Sequence, residues 1–302
     1  MKRLLPTLLF LILTAPLCFG MEDFHFSVAP RMNFLCGELQ ELLYYPDSGS
    51  KLISQLYWEQ KPLFNVGLEA DCSYKDFTLS AGFDYAFPVG TSYMSDYDYF
   101  EDGDVESFTE HPIEKSINID TDLTFAYQIK VFEKLFVSPE LQLNYIYTDF
   151  NAGQGSGYKE ENYGRRSKKV YGIDYKRHSF FIFSGVGLKT EITPKIFLNT
   201  AFLIAPWGYQ YNFDYHHGVK NPFSSEMIQF SFFTKYKADI STDFVLNKII
   251  TLQIFTKALF GFPDRGDYAS DSNSKSIVRF TDQQSGSAIN YIKAGTAVIF
   301  NF

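Results

Sequence analysis

The chain has 302 residues, 18% of them aromatic, and a formal net charge of -8. The acidic balance argues against a nucleic-acid partner, since the largest Lys/Arg cluster is the short one at 165–169. The length exceeds that of one short β-sandwich and suits a single closed barrel with large loops.

The N-terminus has the pattern of a secretory signal peptide. Lys2 and Arg3 precede an apolar run from Leu4 to Leu17, and the small Gly20 follows it. We therefore expect a signal peptide over 1–20 and one mature domain over 21–302. No later apolar stretch reaches the length of about 20 residues that a membrane-spanning helix needs, so a membrane form of this chain must cross with strands.

Apolar and polar residues alternate along much of the mature chain. Between 116 and 129, Ile117, Ile119 and Leu123 alternate with Asn118 and Asp122, which predicts one lipid-facing and one polar strand face. Similar segments predict ten strands, at roughly 24–45, 53–73, 77–92, 115–130, 133–150, 170–191, 194–212, 225–243, 247–262 and 287–302.

The connections between these strands alternate in length. Short ones near 75, 133, 194 and 246 alternate with long polar ones at 46–53, 93–114, 151–169, 213–224 and 263–286. Short turns at one rim and long loops at the other are typical of outer-membrane barrels. The fold class is therefore predicted to be all-β, a ten-stranded antiparallel transmembrane β-barrel with long extracellular loops, located in the cell outer membrane.

The C-terminus predicts the partners of the barrel during assembly. Val298, Phe300 and Phe302 alternate up to the last residue, which resembles the signal read by the outer-membrane insertion machinery. We expect a monomer that contacts this machinery and the outer-membrane lipid. Cys36 and Cys72 are expected to be free thiols, because a first hairpin turning near 49 sets them about ten positions out of register.

Two short motifs in the predicted loops could carry chemistry. Asp96 and Asp98 lie two residues apart, on one face of any strand that continues there, and Asp214 and His216 have the same spacing. An Asp beside a His can orient the imidazole as a general base, and two close carboxylates can hold a water molecule. Each motif alone is a weak signal, because acidic loops are usually only solvated.

Motifs spread along the chain resemble those of the omptins, ten-stranded outer-membrane proteases of Gram-negative bacteria. The matching residues are Ser54-Gln55-Leu56 with Trp58, Met94-x-Asp96-x-Asp98 with His111-Pro112, Tyr175-Lys176 running to Gly185, and Asp214-x-His216. The resemblance implies an Asp pair at Asp96 and Asp98, a catalytic dyad at Asp214 and His216, and a substrate-binding acid at Glu41. It implies that polypeptides outside the cell are the substrates.

Two departures from the omptin pattern bear on specificity. Asn212 stands two residues before the dyad Asp, where the family carries a second acid that helps to select basic side chains. A preference for cleavage between two basic residues is therefore in doubt. The family's charged patch for lipopolysaccharide is also missing, with Tyr147, Asp149 and His178 near those positions.

Other chemistries have less support in the sequence. The histidines form no His-Glu-x-x-His motif, and no glycine-rich phosphate loop is present, so we expect neither a metal nor a cofactor. Ser107 could be a nucleophile with His216 as its base, but nothing marks it. His217 could replace His216 if the alignment is shifted. Two further alternatives are a catalytically inactive barrel acting as an adhesin or receptor, and a small pore, for which ten strands leave little room.

Overall fold

The computed structural model of the protein describes residues 23–45, 51–161, 164–217, 222–271 and 278–302. The predicted signal peptide lies outside these residues. The described residues form sixteen strands. The first eight are β1 Phe24–Tyr44, β2 Leu52–Tyr74, β3 Phe77–Pro88, β4 Tyr93–Tyr99, β5 Val105–Tyr127, β6 Ile129–Phe132, β7 Leu135–Ala152 and β8 Gly155–Glu161. The others are β9 Gly164–Val170, β10 Ile173–Thr193, β11 Ile196–His216, β12 Phe223–Ser231, β13 Lys235–Val245, β14 Ile250–Gly261, β15 Asp264–Ser270 and β16 Val278–Asn301.

The strands form one sheet that closes into a ring of ten positions, which we call staves. In order, the staves are β1, β2, β3 with β4, β5 with β6, β7 with β8, β10 with β9, β11, β12 with β13, β14 with β15, and β16, which pairs with β1. Strands that share a stave have the same neighbours, as β3 and β4 both pair with β2 and β5. Neighbouring strands are antiparallel. The predicted ten-stranded antiparallel barrel is confirmed.

The predicted long loops are mostly strands, which corrects the boundaries. The segment 93–114 contains β4 and the first part of β5, 151–169 contains β8 and β9, and the described part of 263–286 contains β15 and the start of β16. The outer face of the barrel is wet above the membrane, so side chains no longer alternate between apolar and polar there. Backbone pairing continues without that alternation, which is why the sequence pattern missed these strands.

An outward belt of apolar side chains marks the part of the barrel that faces lipid. It includes Phe34 on β1, Leu68 on β2, Phe83 on β3, Val186 on β10 and Phe202 on β11, all of them exposed. The belt ends before residue 38 of β1, since the next two outward residues there are polar and hydrogen-bond each other. Within the described residues there is no helix long and apolar enough to cross a membrane.

The two cysteines are free, as predicted. Cys36 precedes the pair Gly37 with Gln60, whereas Cys72 pairs with Phe26 at the other end of the same hairpin. Their separation along the strands therefore prevents a disulfide.

Charged side chains fill the barrel interior at the level of the apolar belt. The Lys293 ammonium on β16 donates to Asp84 at 2.9 Å and to Asp120 at 2.6 Å. Arg31 on β1 donates to Asp84 at 2.8 Å, and the Tyr291 hydroxyl donates to Asp120 at 2.7 Å. All of these side chains are buried. The network joins strands on opposite sides of the lumen and obstructs it, which argues against the pore alternative.

Lys293→Met should destabilise the barrel strongly, because it removes the cation shared by two buried carboxylates. Breaking a buried ion pair costs about 3 to 5 kcal/mol. Urea unfolding of the refolded protein in lipid vesicles, followed by tryptophan fluorescence, measures this loss.

Lys115→Met is the matched control, since Lys115 pairs with Asp149 at 2.6 Å but is half exposed. Its loss should cost no more than about 1 kcal/mol. Equal destabilisation by the two variants would contradict a stabilising role for the interior network.

Candidate active site

Asp96 and Asp98 lie on β4 and face the barrel lumen. Met94, two residues before Asp96, is fully buried in the hydrophobic core, and side chains two apart on a strand share a face. The hydroxyl of Ser107 on β5 donates to Asp98 Oδ2 at 2.5 Å. Ser107, considered above as a nucleophile, is thus directed at a carboxylate. The pair stands on the part of the third stave that extends above the apolar belt.

Asp214 and His216 lie at the outer end of β11, and β12 holds both of them. His216 Nε2 is 3.6 Å from Asp214 Oδ2, which is an electrostatic contact rather than a hydrogen bond. The Ser225 hydroxyl donates to the same Asp214 oxygen. The Phe223 ring stacks on the imidazole, with ring centroids 4.2 Å apart and planes 10° from parallel. These contacts fix the direction of both members of the pair.

An aromatic platform crosses the lumen beneath these groups. It consists of Trp58 on β2, Phe150 on β7 and Tyr175 on β10, all fully buried. Trp58 stacks on Tyr175 with centroids 4.8 Å apart and planes 14° from parallel, and Phe150 packs against both rings. The strands β2 and β10 are four staves apart in the ring of ten, so this stack bridges the barrel.

The strand register gives Asp96 and His216 corresponding positions relative to the platform. Asp96 lies two residues outward from the β4 residue that pairs with Trp58. His216 lies two residues outward from the β11 residue that pairs with Tyr175. Two residues of a strand correspond to about 7 Å. Asp96 and His216 therefore stand on staves three and seven, each one such step beyond the platform, whereas Asp214 is level with Tyr175 in the strand register.

Glu41 and Asn212 are buried and hydrogen-bonded to the platform. The indole N–H of Trp58 donates to Glu41 Oε2 at 3.0 Å, and the Tyr175 hydroxyl donates to Asn212 Oδ1 at 3.4 Å. The side-chain amide of Asn212 donates to Gln229 Oε1 at 3.1 Å. Only 1% of Glu41 and none of Asn212 is exposed. The predicted substrate-binding residues thus lie next to the dyad but are covered.

The carboxyl groups of Glu41 and Asp214 contact each other. Burial, followed by the neighbouring Asp214 carboxylate, raises the pKa of Glu41 well above its ordinary value. The contact spans four staves, from β1 to β11.

The contacts of Ser225 and Phe223 with the dyad were not predicted. Both residues lie on β12. They are next to the dyad only because Ser225 pairs with Asp214 and Phe223 pairs with His216 in the sheet. Their distance along the sequence from the dyad gives no signal, because strand geometry does not fix the length of the connection between β11 and β12.

A second Asp–His pair stands on the outer face of the barrel. His217 Nε2 is 2.8 Å from Asp174 Oδ2, which is closer than the distance in the lumenal pair. Asp174 lies between the buried residues Ile173 and Tyr175, so its side chain points away from the lumen. His217 is therefore directed away from Asp96 and Asp98.

Among the residues that the structure describes, no group of three or more His, Cys, Asp or Glu side chains could hold a metal ion. The arrangement instead offers two carboxylates on one side of the mouth and a carboxylate with an imidazole on the other. Such groups can hold water and exchange protons with it.

Solved structures with a similar fold include outer-membrane proteins. The crystal structure of the outer membrane protease OmpT from Escherichia coli matches with a TM-score of 0.83 and 13% identity, over 94% of this chain and 99% of that one. The Pseudomonas putida toluene transporter TodX matches with a TM-score of 0.31 and 10% identity, over 95% of this chain and 92% of that one. The first match shows the same barrel fold, whereas the second is too distant to carry an argument.

None of the curated protein sequences compared matches this chain. The model of the family described as the Omptin family matches residues 22–302. Together with the closed barrel and its lipid-facing belt, this match shows that the chain is an outer-membrane β-barrel belonging to the omptin family.

Proposed function

We propose that this protein is an outer-membrane endopeptidase that hydrolyses polypeptides outside the cell. The observation that carries the proposal is that Asp96 and His216 each lie two residues outward from a strand position paired with the aromatic platform, on opposite sides of the mouth. Membership of the omptin family and the similarity to an outer membrane protease support the same class of reaction.

In the proposed mechanism, a water molecule is the nucleophile. Asp96 and Asp98 hold the water, and His216 accepts one of its protons while the oxygen attacks the carbonyl carbon of the scissile peptide bond. Asp214 stabilises the imidazolium that results. The imidazolium then gives its proton to the leaving nitrogen as the C–N bond breaks, which yields an amine and a carboxylic acid that loses its remaining proton to solvent. No covalent intermediate with the enzyme forms.

Several contacts support His216 as the base. Its ring is held by Phe223, and its neighbour Asp214 is held by Ser225, so both groups have defined directions before a substrate binds. Preorganised groups of this kind lower the cost of reaching the transition state. Ser107 is engaged with Asp98, which favours a water nucleophile over a serine.

Because Asn212 is neutral, we expect only a weak preference for basic residues in the substrate. Its amide is hydrogen-bonded on both sides, to Tyr175 and Gln229, and it brings no charge to the dyad. An amide attracts a lysine or arginine side chain much less than a carboxylate does.

His216→Ala should lower kcat/KM for peptide cleavage by at least about 100-fold, since general base catalysis usually contributes about 10² to 10⁴. Asp96→Ala and Asp98→Ala should each cause comparable losses by releasing the water. Either change combined with His216→Ala should add little, because groups that act as one unit are not additive. Refolded protein and a fluorogenic peptide library provide the measurement.

His217→Ala and Asp174→Asn are the matched controls, since they disrupt an Asp–His pair on the outer face. Both should keep wild-type activity. Heat-dependent gel migration of every variant verifies that the barrel has folded. Wild-type cleavage by His216→Ala would exclude this residue as the base. Absence of cleavage by the wild type across varied peptides and lipids would favour the adhesin or receptor alternative.

Asn212→Asp should increase cleavage next to Lys and Arg relative to neutral residues, by electrostatic complementarity in a partly desolvated site. The ratio of kcat/KM values for matched peptides that differ only in that residue measures the change. An unaltered cleavage profile would show that Asn212 does not contribute to substrate selection.

A further inference from the structure

Glu41 is an acid in an unusual environment for a group that would bind a substrate. It lies on β1 above the apolar belt, with 1% of its surface exposed, and its Oε2 accepts the indole N–H of Trp58. Its other oxygen, Oε1, is buried and has no hydrogen-bond donor. One carboxyl oxygen of Asp214, Oδ1, is in the same condition, and the two carboxyl groups contact each other.

A single proton between these two oxygens explains both observations. Two ionised carboxylates in contact inside a protein repel each other, and buried polar atoms nearly always have partners. One shared proton removes the repulsion and gives each of the two oxygens a hydrogen bond. Asp214 then accepts one hydrogen bond from Ser225 and one from Glu41.

The neighbouring groups favour Glu41 as the residue that carries the proton. Asp214 accepts the Ser225 hydroxyl and lies 3.6 Å from an imidazole that can become a cation, and both contacts stabilise its charge. Among the residues that the structure describes, the donor to Glu41 is the neutral indole of Trp58.

The titratable groups around Glu41 determine its proton affinity. Asp214 faces it from β11, Tyr175 and Arg177 from β10, and Tyr268 from β15. Burial and the Asp214 carboxylate raise the Glu41 pKa, whereas the hydrogen bond from Trp58 and then the Arg177 cation lower it by less. Arg177 is itself engaged elsewhere, donating to the backbone carbonyl of Ala288 at 2.7 Å.

We propose that Glu41 is a positioning residue that remains protonated and donates a hydrogen bond to Asp214, holding the carboxylate that orients His216. This inference rests on the proposed peptidase function. It gives Glu41 a role different from that of an anionic substrate-binding group. Activity should be lost as the pH rises and Glu41 ionises, because the neutral form is the one that holds Asp214.

Glu41→Gln and Glu41→Leu separate the two roles. A glutamine amide can donate to Asp214 and accept from Trp58 without ever becoming charged, whereas leucine fills similar space without a donor. Glu41→Gln should keep kcat within about fivefold of the wild type and lose the alkaline decline that Glu41 causes. Glu41→Leu should lower kcat by at least about tenfold with little change in KM, as the loss of one buried hydrogen bond implies.

An anionic substrate-binding role predicts the opposite pattern. Both variants would then raise KM for peptides with basic residues to a similar extent, and glutamine would not rescue the leucine defect. That result would overturn the inference while leaving the peptidase function intact. Heat-dependent gel migration again verifies folding of both variants.

Infrared spectroscopy of the refolded protein tests whether Glu41 carries a proton, and it requires no enzymatic activity. The carbonyl stretch of protonated carboxylic acids near neutral pH should be weaker in Glu41→Gln than in the wild type. Identical spectra in this region would refute the inference even in an active enzyme. If the wild type cleaves no peptide but its band exceeds that of Glu41→Gln, the proposed function fails and the shared proton stands.

Discussion

The narrow interior of a ten-strand ring is the constraint on which the rest of the structure depends. Barrels of about eight strands are just filled by their side chains, and two more strands add limited space. Side chains from staves four positions apart therefore touch. Trp58 meets Tyr175, Lys293 meets Asp120, and Glu41 meets Asp214 in this way.

These cross-lumen contacts divide the barrel into levels with different chemistry. At the level of the apolar belt, ion pairs around Lys293 and Arg31 occupy the interior. Above them, the aromatic platform forms a floor, and Asp96, Asp98 and His216 stand beyond that floor on their strands. The outer parts of the same strands thus form both the walls of the mouth and the supports of the candidate site.

Buried acids in this protein are stabilised in two ways. Within the membrane level, carboxylates such as Asp84 and Asp120 lie against buried cations, which offsets part of the cost of removing charge from water. At the mouth, Glu41 and Asp214 lie against each other. There the proton on Glu41, rather than a cation, removes the repulsion between the two carboxyl groups. This arrangement leaves the charge near His216 on Asp214 alone.

The sequence by itself determined the architecture and the residue types of the candidate site. Strict alternation, as along 117–129, reports which residues face lipid, and the lengths of the connections report which rim of the barrel each connection occupies. The Asp-x-Asp and Asp-x-His spacings put each pair on one strand face, because that property depends only on the two-residue period of a strand.

Only the tertiary structure determined which side chains contact those two pairs. The contacts of Glu41 with Asp214, of Ser225 with Asp214 and of Phe223 with His216 join separate strands: the last two join neighbouring strands, and the first crosses the lumen. The extension of the strands into the predicted loops was hidden for a related reason. Above the membrane both faces of the sheet can be polar, so hydrophobic alternation no longer reports pairing, and the register between strands depends on the closure of the whole ring.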